Sequence, residues 1–154
     1  MRRPICRFAL LCLVLAGASA FAAEGRVLKV LPQFLDLQGR HTRYPGLYDR
    51  DAYQAYLRLH TNEISGVRFA VQWKAHGPRF DPLKLRVELI GAASGDVPSK
   101  TLLEQEVKSR GWFSHWTTLA LTGDEYRKLG SLTAWRATLW DGDRLLSEQK
   151  SFLW

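Results

Sequence analysis

An antiparallel all-β sandwich of about seven strands with two short helices is the fold this sequence predicts, and three observations predict it. Short segments alternate apolar and polar side chains, the period of a half-buried strand. Turn clusters recur at the spacing of a sandwich, and no strand-helix-strand alternation calls for a parallel sheet.

Taken in order, "RVLKVLPQFLDLQ" reads as a first strand. Pro32 interrupts it, and proline lacks the amide donor a central strand needs, so an edge or a bulge is expected. A long insertion follows, "GRHTRYPGLYDRDAYQAYLRLHTNEISG". Within it Asp49 or Asp51 can cap a short helix that carries Tyr53, Tyr56, Leu57 and His60 on one side, placed over an open end of the sheet. "VRFAVQWKA" alternates Val67, Phe69, Val71 and Trp73 against polar partners, and "LKLRVELIG" does the same with Leu83, Leu85, Val87 and Leu89. These two segments are expected to be neighbours in a sheet with one dry face.

"GDVPSK" reads as a turn, "TLLEQEVKS" as a polar edge strand and "SHWTTLALT" as a further strand. In "TGDEYRKLG" the spacing of Thr122 and Glu125 suits a capping box, acids precede bases, and Gly130 stops a short helix. "LTAWRATLW" and "RLLSEQKSFLW" then form a hairpin through Asp141-Gly142, with Trp135, Leu139 and Phe152 in the register of the core.

The short helical crossover ahead of a terminal hairpin resembles the connection between the fifth and sixth strands of immunoglobulin-like domains. The chain as a whole resembles exported immunoglobulin-like β-sandwich proteins of Gram-negative bacteria. That resemblance implies a fold and a compartment. It carries over no functional residue, and the cysteine pair of antibody-type domains is missing.

Residues 1–22 read as a secretory signal peptide. Arg2 and Arg3 precede an apolar run from Phe8 to Ala16, too short to span a bilayer, and Ala20 and Ala22 suit cleavage before Ala23. Ala18 and Ala20 offer an alternative frame before Phe21. Leu11, ahead of Cys12, is too large for a lipoprotein signal. Residues 23–154 are then one domain, periplasmic or secreted and without stable membrane insertion. Cys6 and Cys12 leave with the leader, so the mature chain has no thiol for a disulfide, a metal or a nucleophile. Removing Arg2, Arg3 and Arg7 from the 22 basic residues leaves 19 against 15 acidic, a charge of +4 in place of +7. Those charges are interspersed and form no basic stripe, so no nucleic-acid partner is expected.

Signals for catalysis are sparse, and no catalytic residue, metal or cofactor is expected. His41, His60, His76 and His115 lack metal-ligand spacing. Ser114 and His115 are strand neighbours and point to opposite faces, and no serine sits in a nucleophile elbow. Glu104 and Glu106 share a strand face; a carbohydrate hydrolase using paired carboxylates is the alternative they raise, a solvated edge the plainer reading. Asp141 and Asp143 suit a turn better than a calcium loop. A small outer-membrane barrel would put Lys150 and Glu148 on its lipid face, which is costly.

Aromatic residues remain. Trp73 and Trp135 hold inward register. If Leu119 and Leu121 face the core, Trp112 and Trp116 share the opposite face, and Trp140 is likewise outward. Rigid indoles at such positions stack on sugar rings or anchor a partner protein. The function expected is an exported non-catalytic binding or interaction module of the cell envelope, for an envelope protein or a glycan, with Trp112, Trp116 and Trp140 as the candidate binding residues.

Overall fold

A computed structural model describes residues 24–77, 82–93, 97–108 and 113–154. The leader and Trp112 lie outside the described residues. Seven strands run in order: β1 (Glu24–Asp36), β2 (Ile64–His76), β3 (Leu83–Ala93), β4 (Val97–Val107), β5 (His115–Thr122), β6 (Ser131–Asp141) and β7 (Arg144–Lys150). Helix α1 (Leu47–Leu59) and one 3-10 turn lie between β1 and β2, and α2 (Gly123–Leu129) joins β5 to β6. The strands form two antiparallel sheets, β1-β2-β5 and β4-β3-β6-β7.

One expectation is corrected by that topology. β2 and β3 are not sheet neighbours; they belong to opposite sheets and face each other across the core. Alternation reports which side of a strand is dry, and it reads the same whether the next strand pairs beside it or packs in front of it. Phe69, Val71 and Trp73 of β2 meet Leu85, Val87 and Leu89 of β3, with Leu119 and Leu121 of β5 and Ala137 and Leu139 of β6 completing the layer. Trp73 is 1% exposed, and its indole N–H donates to Thr117 Oγ1 at 2.9 Å, so burial leaves no orphan donor. Trp135 is partly buried and meets Phe69 edge-on at 6.2 Å.

The ends of the elements depart from expectation in informative ways. α1 begins at Leu47, with Gly46 as its N-cap, rather than at Asp49 or Asp51, and no side chain caps it. Thr122 is the N-cap of α2, yet its hydroxyl makes no capping bond. The crossover is held by packing instead. Leu129 is fully buried, and a Cβ on Gly91 would stand 2.3 Å from the Leu129 carbonyl, so only glycine lets β3 pass so close beneath α2. β4 starts at Val97, inside the stretch read as a turn, with Pro98 on an edge strand.

The hairpin forms as expected around Gly142, whose φ of 57° suits the tight loop. Its register does not run to the end, however. β7 stops at Lys150, Ser151 spends its N–H and its hydroxyl on the backbone of Trp135, and Phe152 stands fully exposed instead of entering the core. A strand's alternation places a side chain only while the strand continues.

Gln54 has the most specific role in α1. Its Oε1 accepts the N–H of Phe34 at 2.7 Å, and its Nε2 donates to the carbonyls of Phe34 at 3.0 Å and His41 at 2.8 Å. The carboxamide thus pairs with β1 as a neighbouring strand would, closing part of its open edge.

Candidate functional site

The two outer faces of the sandwich are built differently. On the four-stranded sheet the register sets Arg86 beside Glu104, and Glu88 beside Arg136. Arg86 ion-pairs with Glu104, whose other oxygen lies 3.7 Å from Lys84 Nζ. The Arg86 guanidinium also lies 5.0 Å above the ring of Trp140. Trp140 is half-buried, and its indole N–H donates to Thr138 Oγ1 at 2.8 Å. One row along, Arg136 forks onto both oxygens of Glu88 at 2.8 and 2.9 Å and lies 4.8 Å above the ring of Trp154, which the chain's last turn folds back. The pattern is carboxylate, guanidinium, indole, repeated twice. Each guanidinium meets both a carboxylate and an indole ring, contacts favourable for this group.

The same contacts bear on catalysis. The Arg86 guanidinium beside Glu104 holds its carboxyl below the usual range. A general acid needs the reverse shift, so Glu104 is poorly suited to protonate a leaving group. Among the described residues no three histidine or acidic side chains come together in a metal-binding group, and no helix is long and apolar enough to cross a membrane.

On the three-stranded sheet, Leu119 and Leu121 point inward and Trp116 outward, 52% exposed. Gln72 is its cross-strand partner on β2, and Lys29 lies opposite Gln72 on β1. Gln72 donates to Ser114 at 3.0 Å rather than to the indole. One row away, Arg26 and Lys74 stand directly opposite each other. Phe113, just ahead of β5, is 80% exposed. This end of the face carries cations around an uncovered indole.

Trp116 and Trp140 therefore lie on opposite outer faces of the sandwich and do not form one surface. Strict alternation would carry Trp112 to the side of Trp116, but Trp112 lies outside the described residues.

At the other end of β1 the insertion forms a compact polar hub that spacing did not reveal. Asp36 is 2% exposed and accepts from the N–H groups of Gln38 at 2.9 Å and Arg40 at 2.8 Å, from Arg40 Nε at 2.9 Å and from the Tyr53 hydroxyl at 2.7 Å. Burial works to raise this carboxyl, but the donors, the Arg40 N–H foremost, outweigh it and hold the group at about 2. Arg43 lies 4.7 Å over the Tyr53 ring, and Tyr56 stacks on His60 at 4.0 Å while donating to Glu63. The signal that could have found this hub is local: an aspartate before a Gly-Arg turn readily accepts from the amides that follow it.

Strand order and crossover define the class. The first, second and fifth strands form one sheet, and the fourth, third, sixth and seventh the other, with a short helix between the fifth and sixth. This is an immunoglobulin-like β-sandwich whose fourth strand pairs with the third rather than the fifth. No family model matches the chain, and no curated protein matches it. A solved structure, an immunoglobulin-like protein from Pseudomonas aeruginosa, is similar over 85% of this chain and 96% of its own, at 16% identity and a TM-score of 0.38.

Proposed function

We propose that the chain is an exported, non-catalytic binding module of the cell envelope that holds an envelope protein or a glycan on the outer face of its three-stranded sheet. Trp116 carries the reading. It is a large rigid side chain, half in solvent on the outer face of β5. An indole so placed offers contact area at little entropic cost. Trp112, which lies outside the described residues, is the second residue proposed for this anchor, on the sequence alone. Trp140, under Arg86 and with its N–H engaged, serves its own sheet instead.

Export is supported by the charged start, the short apolar run and the Ala20-Phe21-Ala22 site. A single domain from residue 23 is supported by one continuous core shared by both sheets.

The test places a photo-crosslinking amino acid at 116, and in a second strain at 140, in cells that express the protein. An adduct with an envelope protein or glycan at 116, absent at 140, is the expected result. Adducts at 140 alone, or at neither position, would count against the reading. N-terminal sequencing of the periplasmic fraction checks export, which an intact Met1 would contradict.

A further inference from the structure

We propose that the cleft at the seam between β1 and β7 is a binding site for a phosphate-bearing ligand. This goes beyond the reading of Trp116 and stands whether or not that residue meets a partner. The cleft encloses about 520 Å³, within the size range of small-molecule sites, roughly 300–1,000 Å³. It lies where the first half of β1, still paired with β2, runs beside β7. The Val27 N–H donates to Ser147 Oγ at 3.1 Å, and a Cβ on Gly25 would stand 2.7 Å from Leu146 Cδ1. The register of β1 against β2 shifts between Val27 and Lys29, at the inner limit of this stretch.

Arginine and lysine side chains reach this cleft from three strands: Arg26 from β1, Lys74 from β2 and Arg144 from β7. Arg26 and Lys74 are direct cross-strand partners. Like charges opposite one another destabilise an antiparallel pair, and among the described residues neither side chain has an ion-pair or hydrogen-bond partner. The other sheet shows that the chain can avoid this. There Lys84 and Arg86 share Glu104, and Arg136 has Glu88. The carboxylate lining the cleft, Glu24, is bonded to His76 at 3.1 Å.

An arrangement that costs stability when empty and gathers three cations around a ligand-sized space suits a multiply charged anion. Guanidinium groups offer paired donors to two oxygens of one phosphate, and the lysine adds a point charge. Cations arriving from three strands match a tetrahedral group with oxygens on every side better than a flat monocarboxylate. The Leu145 and Leu146 side of the cleft can take the apolar remainder of an ester.

The ligand can present its phosphate in solution or as a lipid headgroup, and the experiment separates these sources. Thermal unfolding of the purified protein is followed with inorganic phosphate and with pyrophosphate, at ionic strength held constant with chloride. Co-sedimentation is measured with phosphatidylglycerol vesicles and with phosphatidylcholine vesicles. A ligand that binds only the folded state raises the melting temperature. The expected result is a rise with pyrophosphate, or sedimentation with the anionic vesicles alone. Either should weaken at least tenfold in Arg26→Gln/Lys74→Gln, persist in Lys74→Arg and be unchanged in Phe152→Ala, which alters a fully exposed side chain away from the cleft lining. The double variant should melt no lower than the parent in phosphate-free buffer, since it relieves a repulsion. No response to any of the probes, or an equal response in the double variant, would overturn the proposal.

Discussion

The outer face of the four-stranded sheet and that of the three-stranded sheet carry the same kinds of side chain and use them in opposite ways. On the first, Arg86 and Arg136 each meet a carboxylate and cover an indole. On the second, Trp116 is 52% exposed, and Arg26, Lys29 and Lys74 share the face, Arg26 paired with Lys74 and Lys29 with Gln72 rather than with a carboxylate. Residue type therefore does not separate a structural tryptophan from a candidate anchor. What separates them is whether the neighbouring strand supplies a charged pair at the right height.

Breaking this comparison begins with its ceiling, the core that both sheets share. Trp73→Ala should cost about 3 to 5 kcal/mol, as loss of a buried aromatic does. Domains of this size are stable by only about 5 to 15 kcal/mol, so a large drop in the urea midpoint is expected. A small drop would mean that the layer between the sheets is looser than described.

Next, the three-stranded sheet is knit at its α1 end, and that end can be loosened separately. Gln54→Ala removes the bonds to both polar groups of Phe34 and should cost about 1 to 3 kcal/mol, since it orphans partly buried groups. Aggregation on standing should rise as the edge of β1 opens. Light scattering and urea unfolding report the two effects independently.

Asp36 sharpens the same point through pH. Its folded value of about 2 lies below that of the unfolded chain, so the stability it confers is present above about pH 4 and is lost as pH falls through 2, on the order of 2 kcal/mol in all. Asp36→Asn should lower stability at pH 7 and flatten its dependence between pH 4 and 2. An unchanged acid limb in the variant would show that another carboxyl governs it.

The smallest effects should fall on the two outer-face indoles, and they should differ. Trp140→Ala loses a cation-π contact and a hydrogen bond and should cost about 1 kcal/mol. Trp116→Ala should stay within about 0.5 kcal/mol of the parent. Equal urea midpoints for the two variants would remove the distinction between the faces.

Much of this fold was legible because alternation is a local signal. The strands and the dry sides of β2, β3, β5 and β6 follow from it, as does the outward setting of Trp116, counted from Leu119 and Leu121; the crossover at α2 follows from equally local signals, its terminal acids and bases and Gly130. Pairing is not local. Nothing in "VRFAVQWKA" and "LKLRVELIG" says that they face rather than flank each other. Arg26 and Lys74 meet only through a register set across a long insertion, and Arg86 covers Trp140 only because β3 and β6 align as they do. Gln54 is one polar residue in a helix, and its fit to Phe34 depends on how α1 docks. Phe152 was misplaced because the alternation of β7 was carried past the residue where its pairing ends.

The comparison of the two faces is tested most directly by removing one cation from each. Urea unfolding of Arg86→Gln and of Arg26→Gln, in low salt and without phosphate, should give a loss of about 1 kcal/mol for the first, which surrenders a surface ion pair and a cation-π contact. The second should show no loss, or a slight gain, because it relieves an unmatched pair of like charges. If Arg26→Gln is destabilised as much as Arg86→Gln, the cations of the three-stranded face are as fully committed to stability as those of the other, and their assignment to binding is contradicted.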